Sequence, residues 1–159
     1  MGALFSASDM VRMAVQTEQN GTVFYKALAA SATSESVRGF AQFMAEEEAR
    51  HEETFHQMLP NVRDYARPET YPGEFADYAQ ALLENKVLPD AEAARESALG
   101  CRTEADAIDL AIQFEKDTIL FMYEMRELVP ESERAVVDGM IAEEKRHVVM
   151  LTEKKQELG

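Results

Sequence analysis

A chain of 159 residues, 46% hydrophobic and with only seven glycines and five prolines, is long enough to bury a core and too apolar to be disordered. Its formal charge of −14, from 30 acidic and 16 basic side chains, excludes a basic nucleic-acid groove and adhesion to anionic lipid. The single cysteine, Cys101, excludes an internal disulfide and paired Cys-x-x-Cys ligands, and it is given no role.

Four long segments carry the helical period, and the chain is expected to be all-α, a single domain over 1–159. The first is predicted from Asp9 to Ala30, with Ser8 as its N-cap and Met10, Val11, Ala14, Val15 and Leu28 inward. The second begins near Ser34, turns Val37, Phe40, Ala41, Met44, Phe55 and Met58 inward, and should stop at Pro60. A connection of some 40 residues follows, to Arg102, punctuated by Pro68, Pro72-Gly73 and Pro89. Within it Glu74 to Lys86 reads as a short helix with Phe75, Tyr78, Ala79 and Leu82 on one face. The third long helix starts at Thr103, with Asp106 completing a capping box, and runs through Ile108, Ala111, Ile112, Ile119 and Met122 to Leu128. Pro130 suits the first turn of the fourth, which turns Val136, Val137, Met140, Ile141, Val148 and Leu151 inward. Short connections make one-two and three-four antiparallel hairpins, and the crossover makes helices two and three parallel. No apolar run approaches membrane-spanning length, and Met1–Met10 lacks the pattern of a signal peptide. The expected location is a reducing cytoplasm.

One phrase occurs twice. Ala14-Val15-Gln16-Thr17-Glu18 is echoed by Ala111-Ile112-Gln113-Phe114-Glu115, and Met44 to His51 is echoed by Met140 to His147. Each half thus offers a lone Glu on one helix and a Glu-x-x-His pair, Glu48 with His51 or Glu144 with His147, on the next. Residues three apart lie about 60° apart on one helix face, so each pair can hold one ion. All four acids interrupt apolar stripes. Burying four bare carboxylates would cost several kcal/mol each, whereas two divalent ions would neutralise them. Carboxylate and imidazole together suit iron, manganese or zinc. Glu53-x-x-His56 is also Glu-x-x-His, but His56 lies about 140° round the helix from His51 and breaks the symmetry, so it is read as exposed. Glu47 and Glu143 are placed to reach the histidine of the facing helix and fix its tautomer. Arg50 and Arg146 read as surface charges, and the nine methionines as core filling.

With these residues in place, the chain resembles the rubrerythrin and ferritin-like di-iron family over nearly its whole length. The resemblance implies a ferritin-like four-helix bundle holding two iron ions, with manganese or zinc as alternatives in either position. It implies that Glu48 and Glu115 bridge the pair, that Glu18 and Glu144 are terminal or semi-bridging, and that His51 and His147 each bind one ion. Tyr25, two turns beyond Glu18, would then lie near the metals as a donor or one-electron relay, the alternative being a core tyrosine. Two departures stand out. The four-cysteine rubredoxin domain of typical rubrerythrins is missing, and Thr118 stands where they carry an extra Glu.

The leading expectation is a di-iron peroxidase or oxidase that reduces hydrogen peroxide or dioxygen with electrons from an external carrier such as a rubredoxin. A ferroxidase serving an iron store is the second reading. Only 12 residues follow His147, and the two-to-three crossover is long, which both count against a ferritin cage. The third is a metal-stabilised bundle without turnover. The resemblance also implies a homodimer.

Overall fold

The computed structural model describes residues 6–65 and 74–159, the side chains of 74–76 excepted. Among these residues there are six helices and no strand: α1 (Ala7–Ser31), α2 (Glu35–Val62), α3 (Glu74–Glu84), α4 (Ala91–Gly100), α5 (Glu104–Leu128) and α6 (Glu131–Leu158). Helices α1 and α2 pack as one hairpin and α5 and α6 as the other, with α4 against α1 and α3 against α5. The crossover therefore lies along the seam between the hairpins.

Side-chain contacts set the directions. The backbone N–H groups of Thr33 and Ser34, in the α1–α2 turn, donate to Glu104 Oε1 at the start of α5 (2.8 and 2.9 Å). Lys154, near the end of α6, donates to Ser36 Oγ at the start of α2 (3.0 Å). Helices α1 and α5 are thus antiparallel, and α2 and α5 run the same way, as a long crossover requires. The α5 cap is the expected one: Thr103 Oγ1 accepts from Asp106 N (3.0 Å) and Asp106 Oδ2 from Thr103 N (3.2 Å).

Several expectations need correction. The α1 cap is Ser6, not Ser8, because Asp9 stands three residues after Ser6 and returns the bond of a capping box; Ser8 is buried within the first turn. Pro60 does not end α2, which runs on to Val62. The ring falls in the last turn, where the missing N–H loses one bond to His56, and continuation buries Val62 completely. Pro130 is the cap residue of α6 and lies just outside its first turn. The short crossover helix ends at Glu84, two residues early, and α4 is a second helix where none was expected. Asp90 starts it by accepting from Ala93 N (2.8 Å). Tyr78 and Val136 face outward and not into the core. Pro68, Pro72 and Gly73, and the side chain of Phe75, lie outside what is described.

The apolar interior comes in two pieces. One cluster, at the end holding the α1–α2 turn, contains Phe24, Tyr25, Leu28, Val37, Ala41, Met44, Ile108, Ala111, Phe114 and Leu151, roofed by Leu88, Ala94 and Ala98 of the crossover. The other, at the opposite end, contains Met10, Val11, Phe55, Met58, Val62, Phe121, Met122, Met125, Val137 and Ile141. Each fully buried Phe or Met contributes about 1.5–3 kcal/mol. Between the clusters runs a layer of buried polar side chains, and it is this layer that the fold positions.

Candidate metal centre

Each of the four long helices brings its acid to the same level of the bundle. Glu18 from α1, Glu48 and His51 from α2, Glu115 from α5, and Glu144 and His147 from α6 are all buried, the four acids completely. Helical spacing stacks each Glu-x-x-His pair on one inward face, and the two hairpins present these faces to each other. The imidazoles lie nearly parallel, 15° between planes and 5.1 Å between centroids, as a pseudo-twofold repeat demands. Glu48, His51, Glu144 and His147 each offer a ligand atom, all within 4.8 Å of one another.

The histidines face the layer through Nδ1. His51 Nδ1 lies 2.7 Å from Glu144 Oε1 and 3.6 Å from Glu18 Oε2. His147 Nδ1 lies 2.9 Å from Glu144 Oε2, 3.4 Å from Glu48 Oε1 and 3.9 Å from Glu115 Oε2. Their other nitrogens point away. His51 Nε2 is 2.9 Å from Glu143 Oε2 on the facing helix, and His147 Nε2 is 3.8 Å from Glu47 Oε2. The first is a hydrogen bond and the second a longer ion-pair contact. Arg50 pairs with Glu47 and Arg146 with Glu143 (3.7 Å), so these two arginines neutralise the outer acids. His56 is exposed and pairs with Glu52 (3.3 Å), well away from the layer.

Tyr25 is fully buried, and its hydroxyl donates to Glu115 Oε1. Burial pushes its phenol well above the usual value, and the charges of Glu115 and Glu48 add to the push, so it stays a protonated donor. Thr118 is buried and turned back on its own helix, its hydroxyl donating to Phe114 O (3.0 Å). Cys101 is half-buried in the α4–α5 turn, donating to Ser97 O.

The electrostatics are those of a cluster with too many acids. Burial raises Glu48 and Glu115 well above the carboxylate range, with neighbouring carboxylates adding to it. Burial and Glu144 push Glu18 up to about 7. Burial also opposes ionisation of Glu144, but its contacts with His147 and His51 outweigh it and bring the group down to about 2. Burial disfavours a charged His51, yet Glu144 and Glu18 carry it up to about 11, and His147 is raised in the same way by Glu115, Glu144 and Glu48. Without a cation from outside, burial and mutual repulsion thus favour the protonated forms of Glu18, Glu48 and Glu115. Even so, both oxygens of Glu18 and of Glu48 and Glu115 Oε2 have no hydrogen-bond partner, and Glu144 Oε1 and His51 Nδ1 approach to 2.7 Å without hydrogen-bond geometry. So many unpartnered acceptors converging in a sealed layer fit divalent cations.

Two residues carried no signal in the sequence. An ideal Cβ at Gly21 would come within 2.6 Å of Glu48 Oε2 and 2.9 Å of the Phe114 ring, so a bare helix backbone is what admits that carboxylate. Lys86, from the crossover, reaches Thr17 beside Glu18 (2.7 Å). A lone Gly in a helix and a lone Lys in a connection are too common to single out.

The rubrerythrin family model matches residues 9–155. Among solved structures, the fold resembles the crystal structure of a Thermotoga maritima protein described as ferritin-like and diiron-carboxylate. The two are 25% identical, with a TM-score of 0.68 over 98% of this chain and 97% of that one. Curated protein sequences yield no match. A ferritin-like bundle of four long helices, a buried Glu and His layer across its middle, and a family match over nearly the whole length agree: the chain belongs to the rubrerythrin family.

Proposed function

We propose that the protein is a di-iron oxidoreductase that reduces hydrogen peroxide or dioxygen with electrons from an external carrier, such as a rubredoxin. The observation that carries this reading is the set of unpartnered acceptor atoms on Glu18, Glu48, Glu115 and Glu144, facing the two Nδ1 atoms within a sealed layer. Glu18, Glu48, His51, Glu115, Glu144 and His147 would hold the two ions, whose four positive charges match the four carboxylates. When bound, iron supplies the electron pair that splits an O–O bond, hydrogen peroxide taking up two electrons and two protons to give two waters.

The surrounding residues support that chemistry. Glu143 accepts from His51 Nε2, which leaves Nδ1 as the lone-pair nitrogen once its proton is displaced. Glu47 faces His147 Nε2 in the same sense, at a longer distance. Tyr25 donates to Glu115 Oε1 and leaves Oε2 facing the layer, so its neutral O–H stands in direct contact with a carboxylate of the site. The two apolar clusters exclude water from above and below. Thr118, at the position of the extra Glu of typical rubrerythrins, carries no carboxylate and donates its hydroxyl to Phe114 O. That feature favours a fixed ligand set and gives the ferroxidase reading its support.

Stopped-flow oxidation of the protein loaded anaerobically with Fe(II) separates the two. The expected result is oxidation by stoichiometric hydrogen peroxide at least tenfold faster than by dioxygen at equal concentration. Faster reaction with dioxygen, with excess Fe(II) consumed and retained, would transfer the assignment to a ferroxidase.

Gly21 offers a test of how Glu48 is held. In an open helix Gly→Ala stabilises by about 1 kcal/mol, but here the added methyl must displace Glu48 or Phe114. Gly21→Ala should weaken Fe(II) binding at least tenfold in an anaerobic titration. Unchanged affinity would show that Glu48 has room to spare.

The protonated layer also sets a pH dependence. Glu18 is raised from 4.5 to about 7, so the stability it contributes is complete below 4.5 and lost as pH rises through 7. His51 is raised from 6.5 to about 11, and its contribution is lost between those values. Glu144, brought down to about 2, acts only below 4.5. Metal-free protein should therefore lose thermal stability between pH 5.5 and 8.5. The rise in Tm on adding Fe(II) anaerobically should be larger at pH 8.5, with protons released on binding. Equal increments at both pH values would contradict a layer protonated in the absence of metal.

A further inference from the structure

The bundle closes the two sides of its polar layer differently. On the α2–α6 side stand the partly exposed acids Glu47 and Glu143 with their arginines. On the α1–α5 side, three consecutive crossover residues are tied across the seam. Lys86 Nζ reaches Thr17 Oγ1 on α1 (2.7 Å), Val87 N donates to Asp117 Oδ2 on α5 (3.0 Å), and Asn20 Nδ2 on α1 donates to Leu88 O (3.2 Å). Thr17 and Asn20 flank Glu18, and Asp117 follows Glu115 by two residues, so the strap lies at the level of the layer. Leu88 is buried beneath it.

Lys86 does more than tie the strap. The Thr17 hydroxyl already donates to Met13 O (2.9 Å), so toward Lys86 it can only accept, and the ammonium is the donor. The same ammonium lies 5.2 Å from the centroid of the Phe121 ring, a cation–π contact. Burial pulls Lys86 down to about 8, and the charges of Asp117 and Glu18 work against that pull and favour the ammonium. Asp117 is partly engaged by the Val87 N–H, whereas both oxygens of Glu18 lack any hydrogen-bond partner. A positive charge is thus anchored on a neutral hydroxyl and an aromatic face, next to one of the two acids of the layer whose oxygens both lack a hydrogen-bond partner.

We propose that Lys86 is a positioning residue of the metal centre, which the crossover strap carries to the α1–α5 side to set the charge balance at Glu18. This inference rests on the di-metal reading of the layer. In the metal-free layer the ammonium offsets the charge of Glu18. In the loaded layer it opposes further positive charge, and so favours the reduced over the oxidised pair. Removing it should make divalent cations bind more tightly and lower the midpoint potential. A residue that merely fastened the strap would do neither.

The test uses Lys86→Gln, which keeps a donor for Thr17 but removes the charge, and Lys86→Arg, which keeps the charge. Three quantities are read for each and for the unmodified chain: Co(II) affinity by anaerobic titration, midpoint potential of the iron-loaded protein, and Tm without metal. The expected result is at least threefold tighter Co(II) binding and a lower potential for Lys86→Gln, with Lys86→Arg like the unmodified chain. If Lys86→Gln lowers only Tm, or weakens binding, Lys86 is a structural tie and the inference is overturned. Should Lys86→Gln fail to fold, Thr17→Val, which frees the ammonium from its anchor, must shift the potential for the inference to stand. Failure of the unmodified chain to bind a pair of Co(II) ions would overturn the di-metal reading itself, and this inference with it.

Discussion

Four carboxylates and two imidazoles are shut into a layer with apolar clusters above and below, and the rest of the fold is arranged around that fact. An ionised carboxylate removed from water costs several kcal/mol unless opposite charge or donors replace its hydration. Here the protein's own donors do not suffice: Tyr25 serves one oxygen of Glu115, the histidines approach Glu144, and Glu18 and Glu48 are left without partners. Four ionised carboxylates around two neutral imidazoles carry the charge that two divalent ions would neutralise. In a family whose members are built on such layers, this deficit reads as a site kept ready, with stability given up to keep it.

Each structural feature near the layer acts on that deficit. Glu143 and Glu47 stand outside the histidines and direct Nδ1 inward. Gly21 removes a side chain where Glu48 must pass. The strap from Lys86 to Leu88 closes the seam that two separate hairpins would otherwise leave open, and it brings the Lys86 amino group to Thr17 beside Glu18. The two apolar clusters hold the four long helices in register, so that acids from four elements meet at one level.

The buried layer of Glu and His was legible in the sequence because it is periodic twice over. The Glu-x-x-His spacing is fixed by helix geometry, and its repetition some 96 residues later is fixed by the symmetry of two hairpins, so neither depends on knowing the tertiary contacts. The same symmetry separated His51 from His56, which the structure leaves on the surface. What escaped was local or unrepeated. Ser6 and Ser8 are equivalent as residue types, and only the return bond from Asp9 distinguishes them. Pro60 is read as a stop unless the burial of Val62 beyond it is known. Helix α4 has buried alanines in place of large apolar residues, so its face was not evident. Lys86 and Gly21 matter through what lies opposite them, which no spacing along the chain records.

Anomalous scattering at the iron edge, from crystals grown anaerobically with Fe(II), tests the account most directly. It predicts two peaks per chain inside the layer, in contact with Glu18, Glu48, Glu115 and Glu144, one bound to His51 Nδ1 and the other to His147 Nδ1. A layer without peaks, or iron found only on the outer acids Glu47 and Glu143, would contradict it.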